Sequence, residues 1–337
     1  MPATADTIQE LSGVDANALP DDVLLSTRPL VLRGLAAHWP LVQAGLAGTQ
    51  AAVDYLLSFY RQATIGAFLG APEIEGRFFY NDDLSGFNYR AVKVKLDTVL
   101  AEILRFEHDP NPGALYVGST TIDTALPGLR AQNDFNFGGR DPLASIWIGN
   151  RTRVAAHHDL PDNIACVAVG RRRFTLFPPE QFANLYLGPM DFTPAGQAIS
   201  MVDFARPDLE RHPKFAEALR HAQVAELGPG DAIFIPSLWW HHVESLAPLN
   251  VLVNYWWRQS PGFMDTPYHA LFLAMMTVRD LPPEQRDAFK AIFDHYVFDA
   301  TPDKVAHLPE SARRMLGRFD ADRARELRAF LLQRLNR

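Results

Sequence analysis

The feature that most constrains the fold of this chain is a series of six short apolar runs between residues 114 and 258. The runs are ALYVGS, ASIWIGN, NIACVAV, RFTLFPP, DAIFIPS and NVLVNYWW. They are rich in β-branched and aromatic residues, and most are bounded by Gly, Pro, Asn or Asp. Strands at this spacing, without helices between them, predict an antiparallel sandwich or barrel, so the predicted fold class is mainly β.

The sequence on either side of these runs predicts a three-part organisation. Residues 1–113 read as a mixed α/β region packed on the barrel, with an amphipathic helix marked by helical spacing of apolar residues from Leu96 to Leu104. The β core covers 114–260 and carries a less regular insertion at about 178–228. Residues 261–337 predict helices with one-sided apolar stripes, which need a partner on the barrel or on a second subunit.

Composition narrows the classes of function. The formal net charge of −7 leaves no overall basic surface, so a nucleic-acid partner is not expected. The single cysteine, Cys166, excludes an intrachain disulfide, reads as a small buried apolar residue, and fits a reducing, cytoplasmic setting. The opening MPATADTIQELSG lacks the basic and apolar regions of a signal peptide, and no apolar run has the length of a membrane span. We therefore expect no membrane association.

The stretch AAHHDLPDN, residues 155–163, contains the strongest candidate for chemistry. Side chains alternate faces along a strand, so His157 and Asp159 share one face and His158 takes the other. A histidine and a carboxylate on one face supply two of the three ligands of the facial triad of non-haem Fe(II) oxygenases. The third ligand should be a distant histidine, and the doublet His241-His242 in GPGDAIFIPSLWWHHVES offers two possibilities.

Three stretches together resemble the JmjC-type cupins. They are AAHHDLPDN, VGRRRFTLFPPEQF, and GPGDAIFIPSLWWHHVES with NVLVNYWW. The resemblance is strongest to the branch that contains the hypoxia-inducible-factor asparaginyl hydroxylase and its bacterial cupin-like relatives. It covers residues 114–258 closely and extends more loosely to RPLVLRG and the C-terminal helices. It implies a double-stranded β-helix, which is the cupin form of the jelly roll, and a chemistry that uses Fe(II), 2-oxoglutarate and O₂.

The resemblance also assigns the metal ligands. The ligands of the family fall on His157, Asp159 and His241, the first histidine of the second doublet. Strand periodicity agrees, because His241 then faces inward. His158 and His242 are left with structural or supporting roles.

The co-substrate contacts of the family map onto this sequence with two departures. The lysine that holds the far carboxylate of 2-oxoglutarate falls on Arg172, whose guanidinium can bind a carboxylate in bidentate fashion. The family's hydroxyl-bearing residue three positions before the first ligand is Val154. Tyr116 matches as a partner of the carboxylate, and Asn163 and Asn254 match as polar groups lining the site.

The function implied by the resemblance is hydroxylation of a side chain, with a protein or peptide as substrate and with a homodimer formed through the C-terminal helices. Two alternatives stay open. The departures at Arg172 and Val154 motivate a metal-binding cupin that does not use 2-oxoglutarate. A non-catalytic, dimeric binding or regulatory protein on the same scaffold is the second alternative, and the presence of all three ligands argues against it.

Overall fold

Each of the six apolar runs forms a β-strand in the computed structural model of the protein, which describes residues 6–336. The mainly β jelly roll expected from the resemblance is confirmed. The strands are β1 (Asp6–Thr7), β2 (Gln9–Ser12), β3 (Leu30–Arg33), β4 (Thr64–Gly70), β5 (Arg77–Phe78), β6 (Tyr89–Lys95), β7 (Ala114–Thr121), β8 (Leu143–Gly149), β9 (Arg153–His157), β10 (Asp162–Val169), β11 (Arg172–Phe177), β12 (Gln223–Leu227), β13 (Ala232–Ile235), β14 (Trp240–Ser245) and β15 (Asn250–Trp257).

The strands form two sheets that enclose a shared core. The smaller sheet has the order β1-β12-β11-β14-β9-β5, and the larger has the order β2-β3-β13-β10-β15-β8-β7-β4-β6. Pairing is antiparallel except for three parallel pairs, β1 with β12, β2 with β3, and β5 with β9. Alternate side chains of both sheets meet between them, for example Phe174 and Val243 from the smaller sheet and Ile233 and Leu252 from the larger.

Helices cover the other face of the larger sheet. They bury Trp39, Leu56 and Leu100 in one cluster with strand residues such as Ile148 and Val251. The helix predicted from its apolar spacing forms as Leu96–Phe106, because that stripe packs into this cluster. The helices of this part of the chain are α1 (Asp21–Leu24), α2 (Pro40–Ala47), α3 (Thr49–Phe59), α4 (Leu96–Phe106), α5 (Ile122–Ala125) and α6 (Phe215–Arg220), with 3-10 turns at Pro72–Ile74, Leu129–Ala131 and Pro179–Asn184.

The structure differs from the sequence-based division in two places. Strands β2, β3, β4 and β6, which lie within the predicted N-terminal region, are part of the larger sheet itself. The predicted insertion at 178–228 ends in strand β12, which pairs with β11 in the smaller sheet. In both places the runs are short or rich in glycine and charged residues, so cross-strand pairing rather than local pattern decides the conformation.

The chain divides into two units, Met1–Trp257 and Arg258–Arg337. The second unit is helical, and Val305 is the buried apolar residue found among its described residues. Across residues 6–336 no helix combines the length and apolarity needed to cross a membrane. The elements of the second unit are α7 (Pro267–Thr277), α8 (Pro283–Phe293), a π-helical turn (Asp294–Phe298), α9 (Glu310–Arg313) and α10 (Ala321–Leu335), with 3-10 turns at Pro302–Val305 and Arg314–Leu316.

We predict that the turn between β10 and β11 is intolerant of any side chain at Gly170. Gly170 has a φ of +80°, and a Cβ there would overlap the carbonyl oxygen of Leu249. The substitution Gly170→Ala should lower the free energy of unfolding by about 3 kcal/mol, which combines left-handed strain of about 1–2 kcal/mol with the steric overlap. The measurement is urea denaturation followed by circular dichroism.

The matched control is Gly13→Ala. Gly13 has a φ of +72°, and nothing lies within 4 Å of the point that a Cβ would occupy, so backbone strain alone applies. Gly13→Ala should lower the free energy of unfolding by about 1 kcal/mol. Equal losses in the two variants would show that the contact with Leu249 does not matter.

Candidate metal and co-substrate site

The pairing of β9 with β14 brings the two predicted histidine ligands together. His157 ends β9, and its Cα partner across the pair is His241. Asp159 follows two residues later. The candidate ligand atoms of these three residues all lie within 4.8 Å of one another, and the Nε2 of His241 is 3.8 Å from the Oδ2 of Asp159. The three predicted ligands therefore form one cluster.

Backbone carbonyls fix the orientation of both imidazole rings. The Nδ1 of His157 is 3.0 Å from the carbonyl oxygen of Ala155, and the Nδ1 of His241 is 3.0 Å from that of Trp239. A carbonyl oxygen only accepts hydrogen bonds, so each Nδ1 carries the proton and donates it. The lone pair of each Nε2 is left for a metal ion.

Burial keeps His241 neutral. The surrounding apolar groups and, secondarily, His157 lower the pKa of His241 to about 4, while Asp159 opposes the shift. A neutral imidazole is the form that binds a metal. Two imidazoles and one carboxylate match the facial triad that binds Fe(II), so the donor set fits the metal implied by the resemblance.

The loop that carries Asp159 is held by groups from two later segments. The indole Nε1 of Trp256 donates to the Oδ2 of Asp159 at 3.1 Å. The backbone N–H of Leu238 donates to the carbonyl oxygen of Asp159 at 2.9 Å, and the hydroxyl of Ser237 donates to the carbonyl oxygen of Leu160 at 2.6 Å. Strand β15 and the turn before β14 thus orient the carboxylate.

The second histidine of each doublet lies away from the cavity, as strand periodicity predicts. His158 contacts the ring of Trp240 at a centroid distance of 4.4 Å. His242 packs against Phe204 at 4.6 Å. Burial lowers the pKa of both, to about 3 for His242. Neither residue is among those that line the cavity.

A cavity of about 390 Å³ extends from the triad into the space between the sheets. Arg172 lies on its wall and is 2% exposed. Its Nε and Nη2 atoms have no hydrogen-bond partner within residues 6–336. The pKa of the neighbouring Tyr116 is raised to about 12, chiefly by burial and against the influence of Arg172. Arg171 and Arg173 turn outward and form ion pairs with Glu226.

The other predicted contacts also line this cavity. The side chain of Asn254 donates to Asn163 at 3.1 Å and accepts from the indole N–H of Trp147 at 2.7 Å. Val154 lies on the same wall, so this position supplies an apolar surface and no hydroxyl. The structure thus places Arg172, Tyr116, Asn163 and Asn254 around one space together with the triad.

Sequence reasoning missed two parts of the site. One is an aromatic wall in which Phe78 lies between Tyr116 and Tyr89, at centroid distances of 5.7 and 5.4 Å. The run RFFY at 77–80 was the available signal. The other is the loop that brings Pro194 and Ile199 of the insertion to the cavity. No local pattern in the sequence indicates that contact.

Comparison with known proteins is consistent with this geometry. The model of the family described as "Cupin-like domain" matches residues 16–263. The human protein named HSPB1-associated protein 1 is 38% identical over 130 residues, which are 37% of this chain and 25% of that protein. The zebrafish tRNA wybutosine-synthesizing protein 5 is 31% identical over 148 residues, 40% of this chain and 42% of that protein.

A third relative is matched over a longer stretch. Lysine-specific demethylase 8 of Xenopus tropicalis is 25% identical over 245 residues, 70% of this chain and 49% of that protein. The matched regions thus span between about a quarter and half of the length of these curated relatives.

We predict that Trp256 positions Asp159 for metal binding. Replacing Trp256 with Phe removes the indole N–H that bonds to Oδ2 and keeps most of the ring. Fe(II) affinity should fall by about 10-fold or more, which is the usual effect of losing a hydrogen bond to a metal ligand. Anaerobic titration with Fe(II) measures the change. The control is Trp257→Phe, because the Nε1 of Trp257 has no partner among the described residues. Equal affinities in the two variants would contradict the assignment.

Proposed function

This chain belongs to the cupin-like family, which includes the JmjC-type 2-oxoglutarate oxygenases, and on that premise we propose that it is an Fe(II)- and 2-oxoglutarate-dependent oxygenase. We propose further that it hydroxylates a side chain of a protein or peptide. One observation carries the proposal. A single cavity holds the His157–Asp159–His241 cluster and a buried arginine whose Nε and Nη2 donors are unpaired among the described residues.

The unpaired Nε and Nη2 donors of Arg172 support a carboxylate ligand. Removing a cation from water costs several kcal/mol unless an anion or good hydrogen bonds compensate. Inside the described chain Arg172 has the Tyr116 hydroxyl beside it, and its Nε and Nη2 remain unmatched. The fork of a guanidinium fits a carboxylate. A dicarboxylate such as 2-oxoglutarate could place one carboxylate there and extend its other end toward the triad.

In the proposed reaction, different residues bind the metal, orient the co-substrate and exclude water. His157, Asp159 and His241 would hold Fe(II). With 2-oxoglutarate and O₂, the bound metal supplies an oxidation in which a substrate C–H bond becomes C–OH and 2-oxoglutarate becomes succinate and CO₂. Arg172 and Tyr116 would orient the co-substrate, and the apolar side chains around Val154 would exclude water from the site.

The names of relatives bear on the substrate. One relative is named as a protein associated with HSPB1 and another as a lysine-specific demethylase, while a third is named for tRNA wybutosine synthesis. The net charge of −7 favours the protein or peptide class over RNA. A cytoplasmic setting remains part of the proposal and agrees with the fully buried, single cysteine at 166.

The test is a titration of anaerobic, Fe(II)-loaded protein with 2-oxoglutarate, followed by the visible absorption band of the chelate. We expect the band in the wild type. In Arg172→Met the apparent affinity should fall by about 10- to 100-fold, because charge-assisted hydrogen bonds are lost. The control is Arg171→Met, which makes the same change at an outward-facing position.

A second variant tests the other departure from the family pattern. Val154→Thr would restore a hydroxyl on the cavity wall and should tighten 2-oxoglutarate binding by about fivefold, equivalent to one hydrogen bond of about 1 kcal/mol. Absence of the band in protein that demonstrably holds Fe(II) would contradict the proposal and favour a cupin that does not use 2-oxoglutarate. Failure to hold Fe(II) would favour a non-catalytic binding protein.

We also propose that the second unit mediates a homodimer. Its described helices expose many large apolar side chains, which a second subunit would remove from water. Phe298 is 75% exposed and Leu332 is 55% exposed. The stripe that the sequence predicts on α10 consists of Ala324, Leu327, Leu331 and Leu335. Its first three residues are half-buried, and the large exposed apolar positions of α10 are Phe330, Leu332 and Leu335.

We therefore predict that Leu332→Glu converts a dimer into a monomer, because it places a charge in the proposed apolar interface. Size-exclusion chromatography with light scattering reads the molar mass directly. Gln333→Glu adds the same charge at an exposed position that points about 100° away from Leu332 around the helix, and it should leave the dimer intact. A Leu332→Glu protein that stays dimeric would contradict the proposal.

A further inference from the structure

We propose that strand β6, Tyr89–Lys95, docks an extended acidic segment of the peptide substrate alongside the cavity. This inference rests on the proposed function. It assigns a chemical class to the peptide substrate and a surface along which the substrate reaches the metal ligands. The segment would add to the larger sheet as one more strand, and its acidic side chains would meet Lys93 and Lys95.

The position of β6 in the sheet provides the backbone contacts. β6 is the last strand of the larger sheet and pairs with β4 on one side. Within the described chain no strand pairs with its other edge. Such an edge presents unpaired N–H and C=O groups, and an extended peptide can pair with them. The seven residues of β6 give room for a peptide of similar length.

The same strand borders the cavity. Tyr89, its first residue, lines the cavity wall. Gly66 of β4 also lines the cavity, and it is the register partner of Lys93. Nothing lies within 4 Å of the place where a Cβ on Gly66 would stand. The space directly over Gly66, beside Lys93, is therefore open where it borders the cavity.

The charge of this surface stands out from the rest of the chain. Two of the five lysines in the sequence, Lys93 and Lys95, lie on β6, and Arg90 adds a third cation. Strands β4, β6 and β7 contain no acidic residue, although the chain carries a net charge of −7. None of the three cations forms an ion pair with a described residue, and the Nζ of Lys95 donates to the amide oxygen of Gln62 at 3.0 Å.

The spacing of the lysines specifies the spacing of the acids. Lys93 and Lys95 are two residues apart, so they share the face of β6 that also carries Tyr89, and their Cα atoms are about 7 Å apart. On an added strand, acids at positions i and i+2 share a face in the same way. Acids at i and i+1 point to opposite faces. The site should therefore prefer Glu-x-Glu over Glu-Glu.

Two different roles for the lysines compete with peptide docking. Lysines on an edge strand can simply prevent self-association of sheets. Three cations could also contact the phosphates of RNA. An extended peptide is favoured over RNA because it also satisfies the free backbone groups of the edge, and because the net negative charge of the chain opposes binding of a polyanion.

The experiment uses two fluorescein-labelled decapeptides of identical composition, one with Glu-x-Glu and one with Glu-Glu-x at its centre in a Ser/Thr/Ala background. Binding to the full chain is read by fluorescence anisotropy. We expect the Glu-x-Glu peptide to bind about two- to fivefold more tightly, because the Glu-Glu peptide keeps one acid on the lysine face and loses one exposed charge pair. In the double variant Lys93→Glu/Lys95→Glu the preference should move to a Lys-x-Lys peptide. The control Arg211→Glu/Lys214→Glu also reverses two exposed charges, on the insertion, and should leave binding unchanged.

Equal binding of the two acidic peptides, or a preference that survives the double charge reversal, would overturn the docking site. If the double variant aggregates and its peptide preference is unchanged, the lysines serve to prevent self-association of the sheet through its edge strand. Tighter binding of an oligouridylate that depends on Lys93 would show that RNA, and not a peptide, binds this surface.

The absorption band of the Fe(II)–2-oxoglutarate chelate is measured on the same samples. If it persists when the peptides fail, the docking site is wrong and the oxygenase stands. If it is absent while the peptide preference holds, the docking site stands and the oxygenase is wrong.

Discussion

The antiparallel pairing of β9 with β14 is the constraint on which the site depends. It sets His157 opposite His241 in sequence segments more than eighty residues apart, and the short turn beyond β9 then brings Asp159 to the same point. A slip of one residue in either strand would turn the histidine ligand of that strand away from the cavity. Two interactions stabilise this register. Ser237 and Leu238 donate hydrogen bonds to the loop after β9, and apolar side chains pack between the two sheets.

The charges around the cavity balance when the proposed ligands are present. Fe(II), the Asp159 carboxylate, a doubly charged 2-oxoglutarate and the Arg172 guanidinium cancel one another. Arg172 is 2% exposed and the side chain of Asp159 is 19% exposed. An unbalanced charge that is removed from water is costly. Arg172 lies among apolar groups such as Val154 and Phe174, which line the same cavity. The replacement of a lysine by an arginine at this position therefore preserves the charge and changes the shape of the contact from a point to a fork.

Much of this site could be predicted from the sequence because it follows local rules. Alternation along strands correctly predicted that Arg172 turns inward and that Arg173 turns outward. The same rule was applied to His157 and Asp159, but β9 ends at His157, so the loop after the strand, and not strand alternation, brings Asp159 to the metal ligands. Choosing His241 over His242 needed the family resemblance, since the residues alone left both open. The bond from Trp256 to Asp159 and the pairing of Gly66 with Lys93 depend on tertiary register, which no window of sequence contains. Strands β4, β6 and β12 were missed for the same reason. Their glycines and charges resemble loops until a neighbouring strand pairs with them.

The most direct test of the central claim is release of labelled CO₂ from 2-oxoglutarate carrying ¹⁴C at its first carbon, catalysed by the Fe(II)-loaded full chain in the presence of O₂. The account predicts CO₂ release with an equal amount of succinate, and loss of both in Asp159→Ala. Turnover that persists in Asp159→Ala, or an iron-loaded wild type that converts no 2-oxoglutarate under any substrate supplied, would contradict it.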